Sequence, residues 1–219
     1  KVITAADRRA AELATELLSP AMPEADAASR IAAALALGNQ PTAEKLMLAA
    51  NGKATIHLHV ASQTDVVTLG VAKELAGLLE QISGAAALPI SHDAHPQAGP
   101  LLIIGRDNTL TGKLCADVDW TGLGEDGFII RSVGTHLVIS GGTSRGTMYG
   151  VYWFLDHVLG VRWLAPEITH VPSISSLSVP PQKVRQTPRF TYREVLSDEG
   201  SRAAFAAHNL MNGRSHGPS

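Results

Sequence analysis

The stretch that most limits what this chain can become is Leu137 to Pro166, LVISGGTSRGTMYGVYWFLDHVLGVRWLAP. Leu137-Val138-Ile139 is a short apolar run of the kind a fully buried parallel strand shows. Gly141-Gly142 interrupts it, and Thr143 or Ser144 can accept a hydrogen bond from the first free N–H groups of a helix. Met148, Val151, Tyr152, Leu155 and Leu159 then recur at helical spacing and form one apolar stripe. Gly160 stands where a left-handed C-cap falls, and Val161-Arg162-Trp163-Leu164 resumes as a strand ended by Pro166. The pattern predicts strand, helix, strand. A unit of this length is a right-handed crossover joining parallel strands.

Gly146 and Gly150 lie one turn apart inside the predicted helix. Each costs about 1 kcal/mol relative to alanine, so close packing of the helix on the sheet is the plain account. A sharper account makes SGGTSRG an anion cradle, with free N–H groups and Arg145 at a helix N-terminus. Neither the Walker spacing with its Lys-Ser/Thr nor the spaced dinucleotide glycines are present.

The same residues carry a resemblance. GGTSRGTMYGVYWFLDHVLGVRWLAP resembles the end of the α/β domain that precedes the catalytic barrel in several glycoside hydrolases. These are the β-N-acetylhexosaminidases, the α-glucuronidases and a related bacterial group of glycosidase-like proteins. In them a helix of the form RG-x-x-YG-x-Y-x-F/L-L is followed by LGVRW or a close variant. The likeness runs over about residues 54–194 and is specific in 141–166 and 188–193. Pro188-Arg189-Phe190-Thr191-Tyr192-Arg193 is similar to the PRF-x-x-R opening of the first barrel strand in hexosaminidases. Arg202 to Asn212 resembles the first barrel helix, and the HNLMNG tail matches the bacterial group. The chain departs from the hexosaminidases after the arginine, with Glu194 in place of glycine and no later Asp-x-x-Arg-His pattern. The resemblance implies that Arg193 binds substrate at the barrel mouth. The structural alternative for Arg193 is an ion pair with Glu194 or Asp198.

Composition sets the remaining bounds. With 45% hydrophobic and 17% charged residues, the chain reads as a soluble globular protein. A net charge of −2 gives no general pull toward nucleic acid or an anionic membrane, and no apolar run approaches a membrane span. The single cysteine, Cys115, excludes an internal disulfide and any multi-cysteine metal site, and a buried inert thiol is expected. The chain begins at Lys1 with no visible signal peptide, and the resemblance points to an exported bacterial protein, extracellular or periplasmic.

In order along the chain, residues 1–52 read as a helical N-terminal segment. Ala10, Leu13, Ala14 and Leu17 share one face, and Ala27, Ile31, Ala34 and Leu35 another. Pro41-Thr42 opens a third, short helix that Asn51-Gly52 closes. Residues 53–172 form an α/β domain. Ile56, Leu58 and Val60 alternate with His57 and His59 in a strand whose second face is solvated or helix-covered rather than metal-binding. A helix over Asp65–Ser83 is capped by Thr64 and ended by Gly84. Leu88-Pro89-Ile90 is a short strand, followed by His92 and His95 in a surface loop with no metal role. Pro100–Gly105 is a buried strand, and Arg106-Asp107-Asn108 follows it in a structural loop. Gly127–Arg131 and His136–Ile139 form a hairpin, with Glu125 and Asp126 in a solvated turn before it. Ile168–Val171 is a further strand. Residues 173–187 read as a proline-rich linker with one strand at Leu177-Ser178-Val179.

Residues 188–219 are then the start of a (β/α)8 catalytic barrel, which needs about 200–250 residues when complete. The fold class expected is α/β, in an α+β two-layer arrangement: a mixed sheet with the 65–83 and 143–158 helices on one face, preceded by a helical segment. The function expected is that of a non-catalytic N-terminal accessory domain of a glycoside hydrolase acting on polysaccharide or glycoconjugate. Its carbohydrate substrate is engaged by a catalytic barrel beyond this chain, with no cofactor, no catalytic residue in 1–219 and no nucleic-acid partner. A carbohydrate- or protein-binding scaffold module without chemistry is the rival reading, and a phosphate or nucleotide binder using Gly141–Arg145 a third. Aromatics make up 5% of the chain and cluster in the core-like 149–163 segment, which favours the accessory domain over a lectin-like one.

Overall fold

The computed structural model describes residues 23–42, 44–85, 88–94, 96–198, 200 and 202–213. The helix expected around Ala10–Leu17, along with His95 and Glu199, lies outside them. A six-stranded mixed sheet organises the described chain. Four parallel strands form its body: β3 (His57–Val60), β4 (Ile90–His92), β5 (Leu101–Ile104) and β7 (His136–Gly141). Two antiparallel strands extend it, β6 (Phe128–Val133) and, at the edge, β11 (Lys183–Gln186). The spatial order is β11-β6-β7-β5-β3-β4. The expected hairpin is present, with Phe128 opposite Gly141 and Val133 opposite His136.

Strand alternation divides the core. Ile56, Leu58, Leu102, Ile104, Ile130 and Ile139 point to one face. There they meet α2 (Val66–Ser83) and α4 (Ser144–His157), which bring Leu75, Leu79, Phe154 and Leu155. These are the two helices expected on that face. Leu101, Ile103, Ile129 and Val138 point to the other face, covered by Ala34 of α1 (Glu24–Gly38) and Leu110 of α3 (Thr109–Leu114). Cys115 is buried in this second layer, and burial pushes its thiol pKa up to about 11, so the inert thiol expected is what is found.

Several local expectations are corrected. Residues 46–50 form no helix: Leu46–Ala50 is strand β1, paired with β10 (Leu177–Val179) and with β2 (Lys53–Ala54). Leu46 and Leu48 thereby join the main core, and cross-strand pairing overrides the helix propensity of LMLAA. Asp65, not Thr64, caps α2, accepting from the N–H groups of Val67 and Thr68 at 2.9 Å each. Gly84 ends the helix in the left-handed conformation, as expected. β4 lies two residues later than predicted, so His92 is buried in a strand instead of a surface loop. The strand after α4, β8 (Arg162–Ala165), does not rejoin the main sheet as a parallel crossover. It pairs only with β9 (Ile168–His170) in a separate two-stranded ribbon. Residues 173–187 are extended, but they supply both β10 and the edge strand β11. The remaining helix, α5 (Ala203–His208), packs on α4 and β8.

Candidate functional site

The turn before β6 crosses over the N-terminus of α4, and glycines make that crossing possible. A Cβ on Gly142 would stand 2.2 Å from the Gly124 carbonyl oxygen, and one on Gly146 2.4 Å from that of Gly127. Thr143 caps the helix, accepting from the Gly146 N–H at 3.3 Å while its hydroxyl donates to the Glu125 carbonyl at 2.6 Å. The backbone of 124–127 therefore fills the space an anion would need. Arg145 is turned onto the same turn, with Nε donating to Asp126 at 2.5 Å and Nη2 to Glu125 at 2.7 Å. The anion cradle is not formed; SGG is a backbone crossing.

Glu125 is solvated as expected, but Asp126 is not, with its side chain only 8% exposed. Asp126 receives three donors from three parts of the chain. Arg145 Nε reaches one oxygen, while Arg193 Nη2 at 2.9 Å and Asn212 Nδ2 at 2.7 Å share the other. The partners lie 19, 67 and 86 residues away in sequence. No local pattern could have announced them.

Arg193, the residue the resemblance places in substrate binding, spends its guanidinium on the protein. Besides Asp126 it donates from Nε to the Leu210 carbonyl at 2.9 Å and from Nη1 to the Phe190 carbonyl at 2.8 Å. It also lies over the Tyr149 ring, 5.7 Å from the centroid. Tyr149 in turn donates its hydroxyl to the Met211 carbonyl at 2.8 Å. The backbone N–H of Arg193 donates to Asn212 Oδ1 at 2.8 Å, and Asn212 returns its own N–H to the Arg193 carbonyl at 3.0 Å. The segment resembling a barrel start is thus bolted to α4 and the turn before β6. A cleft of about 320 Å3 opens beside the bolt, lined by Asp126, Tyr149, Trp153, Arg193 and Met211 among others.

A second tie joins α5 to α2. His208 Nε2 and the Tyr152 hydroxyl both meet the Glu74 carboxylate, at 2.7 and 2.9 Å. Burial, reinforced by Glu74, pushes the Tyr152 pKa far up, so this phenol stays a donor. The buried His59 lies 3.1 Å from both Ser91 Oγ and Asp93 Oδ1. This grouping looks like a nucleophilic triad, but Ser91 is fully buried and donates to the Leu58 carbonyl at 3.0 Å, so it is a structural network at the end of β3. Among the described residues no group of three or more His, Cys, Asp or Glu side chains could hold a metal ion. Among them, too, no helix is long and apolar enough to cross a membrane.

Against known proteins, no curated protein matches the chain. Solved structures do. The GH20 β-N-acetylhexosaminidase of Streptomyces coelicolor A3(2) is similar at 17% identity and a TM-score of 0.44, covering 70% of this chain and 26% of its own. The N-acetyl-β-hexosaminidase of Streptomyces plicatus is similar at 20% identity and a TM-score of 0.41, covering 69% and 26%. The chitobiase of Flavobacterium johnsoniae is similar at 13% and 0.43, covering 74% and 21%. This chain therefore spans about a quarter of the length of these structures. The family described as "Glycosyl hydrolase family 67 N-terminus" matches residues 41–154, just over half of the sequence and the whole run from β1 through most of α4. The chain belongs to that glycosyl hydrolase N-terminal domain family.

Proposed function

We propose that this chain is the non-catalytic N-terminal portion of an exported glycoside hydrolase acting on polysaccharide or glycoconjugate. In this reading the α/β domain is a foundation that fixes the first strand and helix of a catalytic barrel. The observation that carries it is the convergence of Arg145, Arg193 and Asn212 on Asp126, which joins the barrel-like segment to a domain of the matched family. Arg193 then acts as a positioning residue. Glycoside hydrolysis ordinarily needs two carboxyl groups flanking the bond, about 5–5.5 Å apart for retention or 6.5–9.5 Å for inversion. Of the carboxylates near the cleft, Asp126 is engaged by two guanidinium groups, Glu125 by Arg145 and Glu194 by the Tyr192 hydroxyl. None is set as a proton donor in an apolar pocket.

Two measurements test the reading. The purified 219-residue chain should turn over no aryl hexosaminide, glucuronide or neutral glycoside. Turnover that vanishes on mutating a carboxylate within the chain would move the active site into it. Separately, Asp126→Ala removes the carboxylate paired with the half-buried Arg193 and leaves Arg145 with Glu125 alone, and should destabilise the chain by about 1–3 kcal/mol. Arg193→Ala should likewise lower the melting temperature. An unchanged melting temperature with a raised KM in the longer enzyme would return Arg193 to sugar binding.

A further inference from the structure

The aromatic residues of 149–163 are not all core. Trp153 and Trp163 are half-buried, and both line a cleft of about 360 Å3 between α4, β8 and the 208–210 turn. That volume lies within the roughly 300–1,000 Å3 usual for small-molecule sites. Each indole carries an imidazole stacked on it. Trp153 and His157 have centroids 4.5 Å apart at 7°, and Trp163 and His208 4.4 Å apart at 10°. His208 is pinned further by Glu74, and Trp163 by the edge of Tyr152 at 5.6 Å. Flat rings held this way lose little conformational freedom when a ligand settles on them.

The polar groups of the cleft narrow the ligand. Arg162 donates to both the carboxylate and the carbonyl of Asp156, and Asn209 stands on the facing turn. The guanidinium already has its counter-ion, so an anionic ligand would have to displace Asp156. Hydroxyl groups, which both donate and accept, suit a paired carboxylate and guanidinium without displacing either. The floor is held rigid by an unusual backbone. Leu210 sits at φ 58°, a left-handed conformation that a bulky residue keeps only where its surroundings over-determine it. They do so here: its N–H donates to the Ala207 carbonyl at 3.0 Å, and its carbonyl accepts from Arg193 at 2.9 Å.

We propose that this cleft is a subsite for a neutral saccharide, whose apolar C–H face lies against the Trp153–His157 and Trp163–His208 ring pairs while its hydroxyls meet Asp156, Arg162 and Asn209. The choice of saccharide rests on the glycoside hydrolase reading. What it adds is a direct sugar contact made by this chain.

The sequence has three tryptophans, and the third, Trp120, lies elsewhere, packed beneath the Arg106 guanidinium and the second core layer. Three indole N–H signals in a 1H–15N spectrum of the 219-residue chain therefore contain their own control. Titration with cellobiose or N,N′-diacetylchitobiose should shift the Trp153 and Trp163 signals saturably, with a Kd on the order of 1 mM, and leave Trp120 still. Asp156→Ala, at a partly exposed pair whose loss the fold tolerates, should raise that Kd about tenfold at unchanged melting temperature. Stillness of all three signals up to about 50 mM sugar, well beyond that Kd, overturns the proposal. So does an unsaturating drift of all three, or tighter binding of glucuronic acid than of either neutral disaccharide. The titration involves no turnover: absence of binding leaves the foundation reading standing, and an inactive longer enzyme leaves the subsite standing.

Discussion

The two faces of the main sheet are held down by different physics. The face under α2 and α4 is a continuous apolar layer, in which Phe154, Leu75, Leu79 and Ile82 are almost wholly removed from water. The face under α1 and α3 is a smaller apolar cluster interrupted by buried imidazoles. His136, fully buried, bridges two elements there. Its Nδ1 accepts from the Leu101 N–H at 3.0 Å, and its Nε2 meets the Ala34 carbonyl of α1 at 2.8 Å. Those partners fix the neutral tautomer that carries its proton on Nε2. The core of one face is therefore sensitive chiefly to volume, and that of the other depends on a histidine staying neutral.

The largest test of that contrast removes volume from the first face. Phe154→Ala should cost about 3–5 kcal/mol, and by the same amount at pH 5.5 and 7.5. A strongly pH-dependent loss, read by denaturant melts, would blur the distinction. On the second face, His136→Leu keeps the bulk but leaves the buried Leu101 N–H without its acceptor and the Ala34 carbonyl with its helical partner alone, at about 1–3 kcal/mol.

The His136 variant should also change the pH profile. Burial pushes the His136 imidazole below its ordinary 6.5, and burial does the same to His57. Between the folded and unfolded pKa values the unfolded chain holds a proton that the folded chain does not. Stability is accordingly full above about 6.5, falls as the pH drops, and levels only below the folded pKa. His136→Leu should flatten that fall, leaving the part that belongs to His57. An identical slope in the variant would show that His136 does not titrate as its burial requires.

A smaller effect sharpens the first face. An added Cβ at Gly150 would come within 3.0 Å of Ile139 Cγ2 and 3.1 Å of Phe128 Cβ. Gly150→Leu should therefore destabilise by overpacking, by about 1–3 kcal/mol. A variant that melts like the parent would mean the helix can lift off the sheet, contrary to a jigsaw fit.

What could be read from sequence follows from the range of the interactions that decide each element. The β7–α4 unit, the hairpin and the Gly84 cap are governed by neighbours a few residues away, and they were legible; the two interior glycines of α4 announced a close approach, but Gly150 meets Ile139 and Phe128 of the sheet whereas Gly146 meets the Gly127 carbonyl of the turn. LMLAA at 46–50 was not, because its longer partner strand lies beyond residue 176, its near partner is only the two-residue β2, and its own residues favour helix. The β8 strand was recognisable as a strand, but nothing in it says which sheet it joins. The site divides the same way. Arg193 and Arg145 stood out as charged residues in patterned segments, yet Asp126, the group on which both converge, looks in sequence like any acid in a glycine-rich turn. Trp153 and Trp163 fall in the aromatic 149–163 segment that reads as core, and only the fold shows them lining a surface cleft.

The edge strand β11 has a consequence for how the protein is made. β6 is an unpaired edge until Lys183–Gln186 arrives to cover it, and β1 waits in the same way for Leu177–Val179. An uncovered edge is a template for pairing with other chains. A chain growing out of a ribosome from its N-terminus folds in the order in which its segments emerge. Both closing strands come immediately before Pro188, where the barrel-like segment begins. The last residues needed to complete the two sheets are thus the last made before the barrel-like segment, and the edge strand they leave, Lys183-Val184-Arg185-Gln186, is short and charged, which discourages such pairing.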